Sequence, residues 1–270
     1  MTHTAPPSPC SGAPCSAHPL AGRLAAPSCV LPAPVADNAA FLAGKVDEVG
    51  LCFFETRSCL EYTQRDLPRE HALLPLRWHV HLPVDLPWPA RAAKAASPAR
   101  GAAALALAVM NKAAHLRPHL AVLHPPQGNV AGQRALLADF QEHWRAHTSV
   151  PLLLENVGHC DVACLGENFL REHGLGLCLD VGHLLGYGQE NLLASPLVED
   201  AALAHWSAPG ARDQHLPLTE LTPVQRQTAA AVMRRLPATA VHLLEIFQQE
   251  GLFASLPVLA ALARPDTPRC

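Results

Sequence analysis

The stretch LGLCLDVGHLLGY, residues 175–187, decides the fold. Its apolar run, Leu175 to Leu179, delivers a carboxylate, Asp180, and past Gly182 an imidazole, His183. A short apolar run halted by a polar turn predicts a strand buried on both faces, as in parallel sheets. Asp180 then stands at the strand's C-terminal end, and the glycine bends the chain so that both groups can converge on one cavity. Carboxylate and imidazole are both metal donors. Taken alone, the pair has a plainer reading as a capping Asp followed by an ordinary His. The recurrence of the same grammar along the chain strengthens the ligand reading beside it.

Seven further segments repeat it: residues 23–32 (RLAAPSCVLP), 46–55 (VDEVGLCFFE), 76–83 (LRWHVHLP), 120–126 (LAVLHPP), 150–158 (VPLLLENVG), 201–209 (AALAHWSAP) and 240–247 (AVHLLEIF). Helical passages are expected between them, at 37–46, 58–70, 101–115, 131–147, 167–173 and 222–235. Leu136, Leu137, Phe140 and Trp144 recur at helical spacing, and Thr222 with Pro223 forms a cap and first-turn proline. Eight strands alternating with helices predict an α/β fold, a (β/α)8 TIM barrel. A doubly wound sheet would normally carry a glycine-rich phosphate loop after its first strand, and none is present.

The chain has 270 residues, 49% hydrophobic and 16% charged, enough for one large globular unit, assigned to residues 23–264. Residues 1–22 read as a disordered Pro/Ser/Ala-rich leader without the basic and apolar regions of a secretory signal, and 265–270 as a tail. No run of 18 apolar residues suggests a membrane span. The nine cysteines are an odd number; Cys52 and Cys178 read as small core residues in a reducing cytoplasm. Cys160 and Cys164 lack the second pair of a zinc ribbon. A net charge of −3, with 20 basic residues scattered along the chain, argues against nucleic acid as a partner. The 16 histidines are the compositional oddity.

In a barrel of this kind, side chains at the C-terminal strand ends face a shared cavity. Those ends carry His81, His124, Glu155, Asp180 with His183, His205 and Glu245, and the segment after the seventh strand adds Asp213 and His215. Singly, each is read most simply as a satisfied core residue. Together they would be costly to bury without a common partner. Glu55, ending the second strand, joins them as a candidate substrate contact, although a register slip of one residue would send it to the helix layer.

LLLENVG, LCLDVGHLLGYG, AHWSAP followed by ARDQH, and HLLE resemble the metal-binding motifs of the endonuclease-IV-like, xylose-isomerase-like barrel superfamily. The resemblance spans strands three to eight. It implies up to three divalent ions per chain, zinc first, with manganese or iron as alternatives. Glu155 would bridge two ions, His81 and His124 completing the first and Asp180, His205 and Glu245 the second. His183, Asp213 and His215 would hold the third. His81 is preferred to His79 because HLP resembles the family's His-Ala-Pro turn. Sugar isomerases and epimerases of the superfamily use one metal, on the equivalents of Glu155, Asp180, His205 and Glu245. The additional His124, Asp213 and His215 favour phosphoester hydrolysis by metal-bound hydroxide.

The front half, FLAGKVDEVGLCFFE and LPLRWHVHLPVDLPW, is similar to bacterial cobamide-remodelling phosphodiesterases, which split the phosphodiester of the corrinoid nucleotide loop. That likeness implies a cobamide as small-molecule substrate, with Glu155 and Glu245 as catalytic carboxylates beside Glu55. Trp78, Trp88 and Trp206 are candidates to pack against a corrin or base, ordinary core packing being the plainer reading. The main rival is a one-metal sugar or sugar-phosphate isomerase in which Glu155 and Glu245 shuttle a proton. An abasic-site nuclease, disfavoured by the acidic charge, and a non-catalytic corrinoid carrier stand behind it.

Overall fold

Each apolar run pairs with its sequence neighbours. The computed structural model describes residues 19–89 and 98–264 and closes eight parallel strands into a barrel. In chain order these are β1 (Leu24–Pro27), β2 (Glu48–Cys52), β3 (Arg77–His81), β4 (Ala121–Leu123), β5 (Leu152–Glu155), β6 (Gly176–Asp180), β7 (Leu203–Trp206) and a closing strand, Val241–Leu244, that pairs with β1. All eight expected strands form, each shorter than the segment that predicts it. Pairing, not composition, sets where they stop. β2, for example, makes its last pair at Cys52 with His81, so Phe53 and Phe54 lie beyond it.

Ala25, Leu120, Val122, Leu153, Cys178, Leu203, Val241 and Leu243 fill the barrel interior. The larger core lies between the strands and the surrounding helices. Helix Val130–His147 buries Leu136, Leu137, Phe140 and Trp144, and its N-cap Asn129 accepts the Gly132 N–H. Helix Pro223–Arg235 opens on a capping box made by Thr222 and Gln225. The helix expected over 58–70 is instead a turn of helix, Thr56–Leu60, and a later 3-10 segment, Arg69–Leu73. Asp66 accepts from the Thr63 N–H and hydroxyl, and Pro68 has no N–H to continue a helix.

Leu20 is already buried in the core, inside the stretch assigned to the leader. Residues 1–18 and the tail 265–270 lie outside the described residues. None of the three tryptophans faces a ligand cavity. Trp78 and Trp206 are buried in the core, and Trp88 packs on Phe140 with ring centroids 5.2 Å apart. After β7 the chain makes a small antiparallel ribbon, Ala208–Pro209 with His215–Leu216, that overhangs the C-terminal end of the barrel. Among the described residues, no helix is long and apolar enough to cross a membrane.

Candidate metal centre

Strand alternation assembles the site. His81, Glu155 and Asp180 are the last residues of β3, β5 and β6; His124 and Glu245 directly follow β4 and the closing strand. With a period of two, they and His205 share the inward face with the interior residues Val122, Leu153, Cys178, Leu203 and Leu243 one step below. Asp180 also starts the short helix Val181–Gly186, its Oδ1 accepting the His183 N–H at 2.5 Å. The capping reading and the ligand reading thus both describe Asp180. One oxygen caps, while Oδ2 is buried and unpartnered.

Glu155 is the hub. Its Oε2 lies 2.9 Å from His81 Nε2 and 3.2 Å from His124 Nε2, and its Oε1 lies 3.4 Å from His205 Nδ1. Glu245 Oε2 is 2.9 Å from His205 Nδ1 and 3.5 Å from His215 Nδ1. His183 Nε2 is 3.1 Å from Asp213 Oδ1. Possible ligand atoms fall into overlapping groups, each within 4.8 Å: His81 with His124 and Glu155; Glu155 with Asp180, His205 and Glu245; and Asp180 with His183 and His215. A further group joins Cys178 to Glu155 and His205, so this interior cysteine borders the site as well as filling the core.

The imidazoles are oriented from behind. His81 Nδ1 donates to Leu82 O at 3.0 Å and His183 Nδ1 to Asn156 O at 2.8 Å, which turns each Nε2 towards the carboxylates; His81 Nε2 meets Glu155 Oε2 in a 2.9 Å hydrogen bond. Gly182 admits this packing, since a Cβ there would fall 2.2 Å from Ser207 Oγ, itself 3.2 Å from His215 Nδ1. Buried Asn156 ties β5 to β6, accepting the Asp180 N–H and donating to Asp180 O and to Gln189. Sequence reasoning missed Asn156; its only signal was a buried amide directly after Glu155.

Burial by itself would drive these carboxylates towards neutrality. For Glu155 and Glu245 the surrounding imidazoles, His205 foremost, prevail and hold both well below the usual range. Asp180 goes the other way: burial, against the pull of His183, pushes it up to about 7. His183 rises to about 9 despite its burial, because Asp180 and Glu155 face it. Buried Asp180 Oδ2, His183 Nε2, His205 Nδ1 and Glu245 Oε2 all lack hydrogen-bond partners. His205 Nδ1 and Glu245 Oε2 are 2.9 Å apart without the geometry of a good hydrogen bond. Lone pairs that converge in this way suit a shared cation.

Glu55 sits apart from the group. It is exposed, three residues past the end of β2, and accepts from Ser58 Oγ at 2.9 Å. His79 turns to the other end of the barrel, its Nδ1 2.6 Å from Glu48 Oε1. Cys160 and Cys164 bring their sulfurs to 3.6 Å but belong to none of the ligand groups among the described residues. Phe54 and Phe247, half-buried and edge to face at 5.7 Å, wall the site beside His81 and His215.

No family model matches the chain, and no curated protein matches it in sequence. Solved structures do. A D-tagatose 3-epimerase-like protein superposes with a TM-score of 0.64 at 14% identity, over 89% of this chain and 96% of its own. Endonuclease IV from Thermus thermophilus gives 0.63 at 16% identity, over 89% and 98%. The TTHB071 protein of the same organism, from a crystal soaked with zinc chloride, gives 0.59 at 23% identity, over 89% and 97%. At such identities the likeness establishes the fold alone: the chain is a TIM barrel similar to those of these proteins.

Proposed function

We propose that the chain is a metal-dependent phosphodiesterase acting on the nucleotide-loop phosphodiester of a cobamide. The observation that carries the hydrolytic reading is the fusion of three ligand groups into one pit, with Glu155 and Asp180 each shared between groups. A one-metal site needs only Glu155, Asp180, His205 and Glu245. His81, His124, His183 and His215 would then gather around those carboxylates to no purpose. The unpartnered Asp180 Oδ2, His183 Nε2, His205 Nδ1 and Glu245 Oε2 fit divalent cations, zinc first by the mixture of imidazole and carboxylate donors.

When bound, such ions activate water and stabilise the oxygen leaving phosphorus. The chain's own residues set the stage for that. Glu155 holds the first two ligand groups in register. The carbonyls of Leu82 and Asn156 keep His81 and His183 in the orientation that turns Nε2 towards the carboxylates. Phe54 and Phe247 form an apolar wall that excludes water from one side and offers ring edges to a flat substrate. The cobamide assignment rests on the likeness of residues 41–55 and 74–88 to the remodelling enzymes, and on a net charge of −3, which disfavours a polyanion.

The test is chromatography of products after incubating zinc-loaded protein with an adenosylated cobamide. Release of a lower-ligand nucleoside or nucleotide, lost in Glu155→Ala, is the expected result. The isomerase reading keeps one observation in its favour: the group Glu155, Asp180, His205 and Glu245 is complete by itself. Unchanged cobamide under several divalent metals, with a single tightly bound ion that survives His124→Ala, would establish that reading instead.

A further inference from the structure

Asp213 differs from the grouped candidate ligands in its exposure. Like His215 it stands on the overhanging ribbon rather than on a barrel strand, but its side chain is 52% exposed, and its backbone is left-handed at φ 62°, next to Arg212 at φ 54°. A half-exposed carboxylate facing one imidazole gains little from that contact. Something else must fix it. Tyr187, one helical turn beyond His183, donates its hydroxyl to Asp213 Oδ1 at 2.7 Å. The same oxygen lies 3.1 Å from His183 Nε2.

The ring that carries this hydroxyl is itself held. It lies 5.7 Å from the His183 ring and rests on Gly158, where a Cβ would fall 2.9 Å from Tyr187 Cζ. Tyr187 therefore touches the loop after β5, the helix of His183 and the ribbon of Asp213 at once. His183, Tyr187, Ser207, Asp213 and His215 line one small cavity of about 170 Å³. We infer that Tyr187 is a positioning residue: pinned by Gly158, its hydroxyl holds the Asp213 carboxylate over His183 and so completes the third cation site. The inference rests on the multinuclear reading of the centre.

The experiment is a zinc titration of the whole chain against a competing chelator, which resolves successive dissociation constants, together with thermal melts of the metal-free protein. Tyr187→Phe keeps the ring and removes the hydroxyl. The weakest-bound ion should lose about 10- to 100-fold in affinity, while the other constants and the metal-free melting temperature stay put. Gly158→Ala, which displaces the ring of an intact Tyr187, should weaken the same ion. Cobalt substituted for zinc should show the change as an altered absorption band from one site only. Three ions held by Tyr187→Phe with wild-type constants would overturn the Tyr187 role alone. Equal weakening of all ions would overturn it too, by marking a general structural effect. A wild-type chain that binds a single ion would remove both this role and the multinuclear centre beneath it.

Discussion

Both ends of this barrel bury a carboxylate among histidines, and only one end needs something more. At the N-terminal end, Glu48 is fully buried yet surrounded: His79 Nδ1 at 2.6 Å, His119 Nε2 at 2.9 Å and Arg77 Nε at 3.1 Å. Arg77 brings a permanent positive charge to the single anion, while burial holds His79 towards its neutral form. At the C-terminal end, Glu155, Asp180 and Glu245 are packed together, no Arg or Lys makes an ion pair with them among the described residues, and nitrogen and oxygen atoms lie close without bonding. Buried charge is tolerated when it is paired and hydrogen-bonded. The first end meets the pairing with its own Arg77, although Glu48 Oε2 and His79 Nε2 make no hydrogen bond; the second has no Arg or Lys partner among the described residues and would meet it with cations supplied from outside. The same chemistry of Glu and His thus makes an ion-paired cluster at one end and a candidate metal centre at the other.

Matched substitutions should separate the two ends. Glu155→Ala removes the hub of the metal groups, so zinc content should fall and product release should drop by roughly a thousandfold or more. Metal analysis and product chromatography read both. Glu48→Ala should do the reverse, leaving zinc content intact while destabilising the metal-free fold by about 3–5 kcal/mol, because it strands a buried imidazole and a guanidinium. Denaturant unfolding in chelator measures it. Loss of zinc from Glu48→Ala without loss of stability would erase the distinction.

A second imidazole near the ion-paired end sharpens the contrast through pH. His242 is buried beside Arg23 Nη1, 3.1 Å from its Nε2, and accepts the indole N–H of Trp206 at Nδ1. Burial, then the Arg23 charge, push its pKa down from the usual 6.5 to about 4. Folding therefore favours the neutral ring. Its contribution to stability is complete above pH 6.5 and is lost as pH falls towards 4, about 3 kcal/mol in all. The stability difference between metal-free wild type and His242→Leu should shrink by that amount between pH 7.5 and pH 4. A difference that is constant with pH would show that His242 is not held neutral.

The candidate metal end was legible in the residues and the ion-paired end was not, for a physical reason. A carboxylate or imidazole that ends an apolar run announces itself, because strand alternation and barrel closure aim such ends at one cavity; the structure brings His81, His124, Glu155, Asp180, His205 and Glu245 together there. Glu48 opens a strand, where a charged residue reads as the solvated start of an apolar run. Its partners His79 and His119 lie 31 and 71 residues away and meet it only through the register of β2 with β3 and β4. Asn156 and Tyr187 act through hydrogen bonds across loops, which no periodicity encodes. The expected strand boundaries ran long because apolar composition continues past the last paired residue.

Glu55 is where that overrun mattered most, and it gives the smallest expected effect. The apolar run carries on through Phe53 and Phe54, so a carboxylate at its end looks like the other strand-end ligands. The pairing of Cys52 with His81 closes β2 first, Phe54 takes the place beside His81, and Glu55 emerges into solvent with Ser58 as its partner. Glu55→Ala should leave zinc affinity unchanged and alter stability by no more than about 0.5 kcal/mol, as for surface sites without special contacts. Zinc titration and denaturant unfolding check both. A raised KM for the cobamide at unchanged zinc content would return Glu55 to the substrate's edge, at the rim beside Phe54 rather than inside the metal pit.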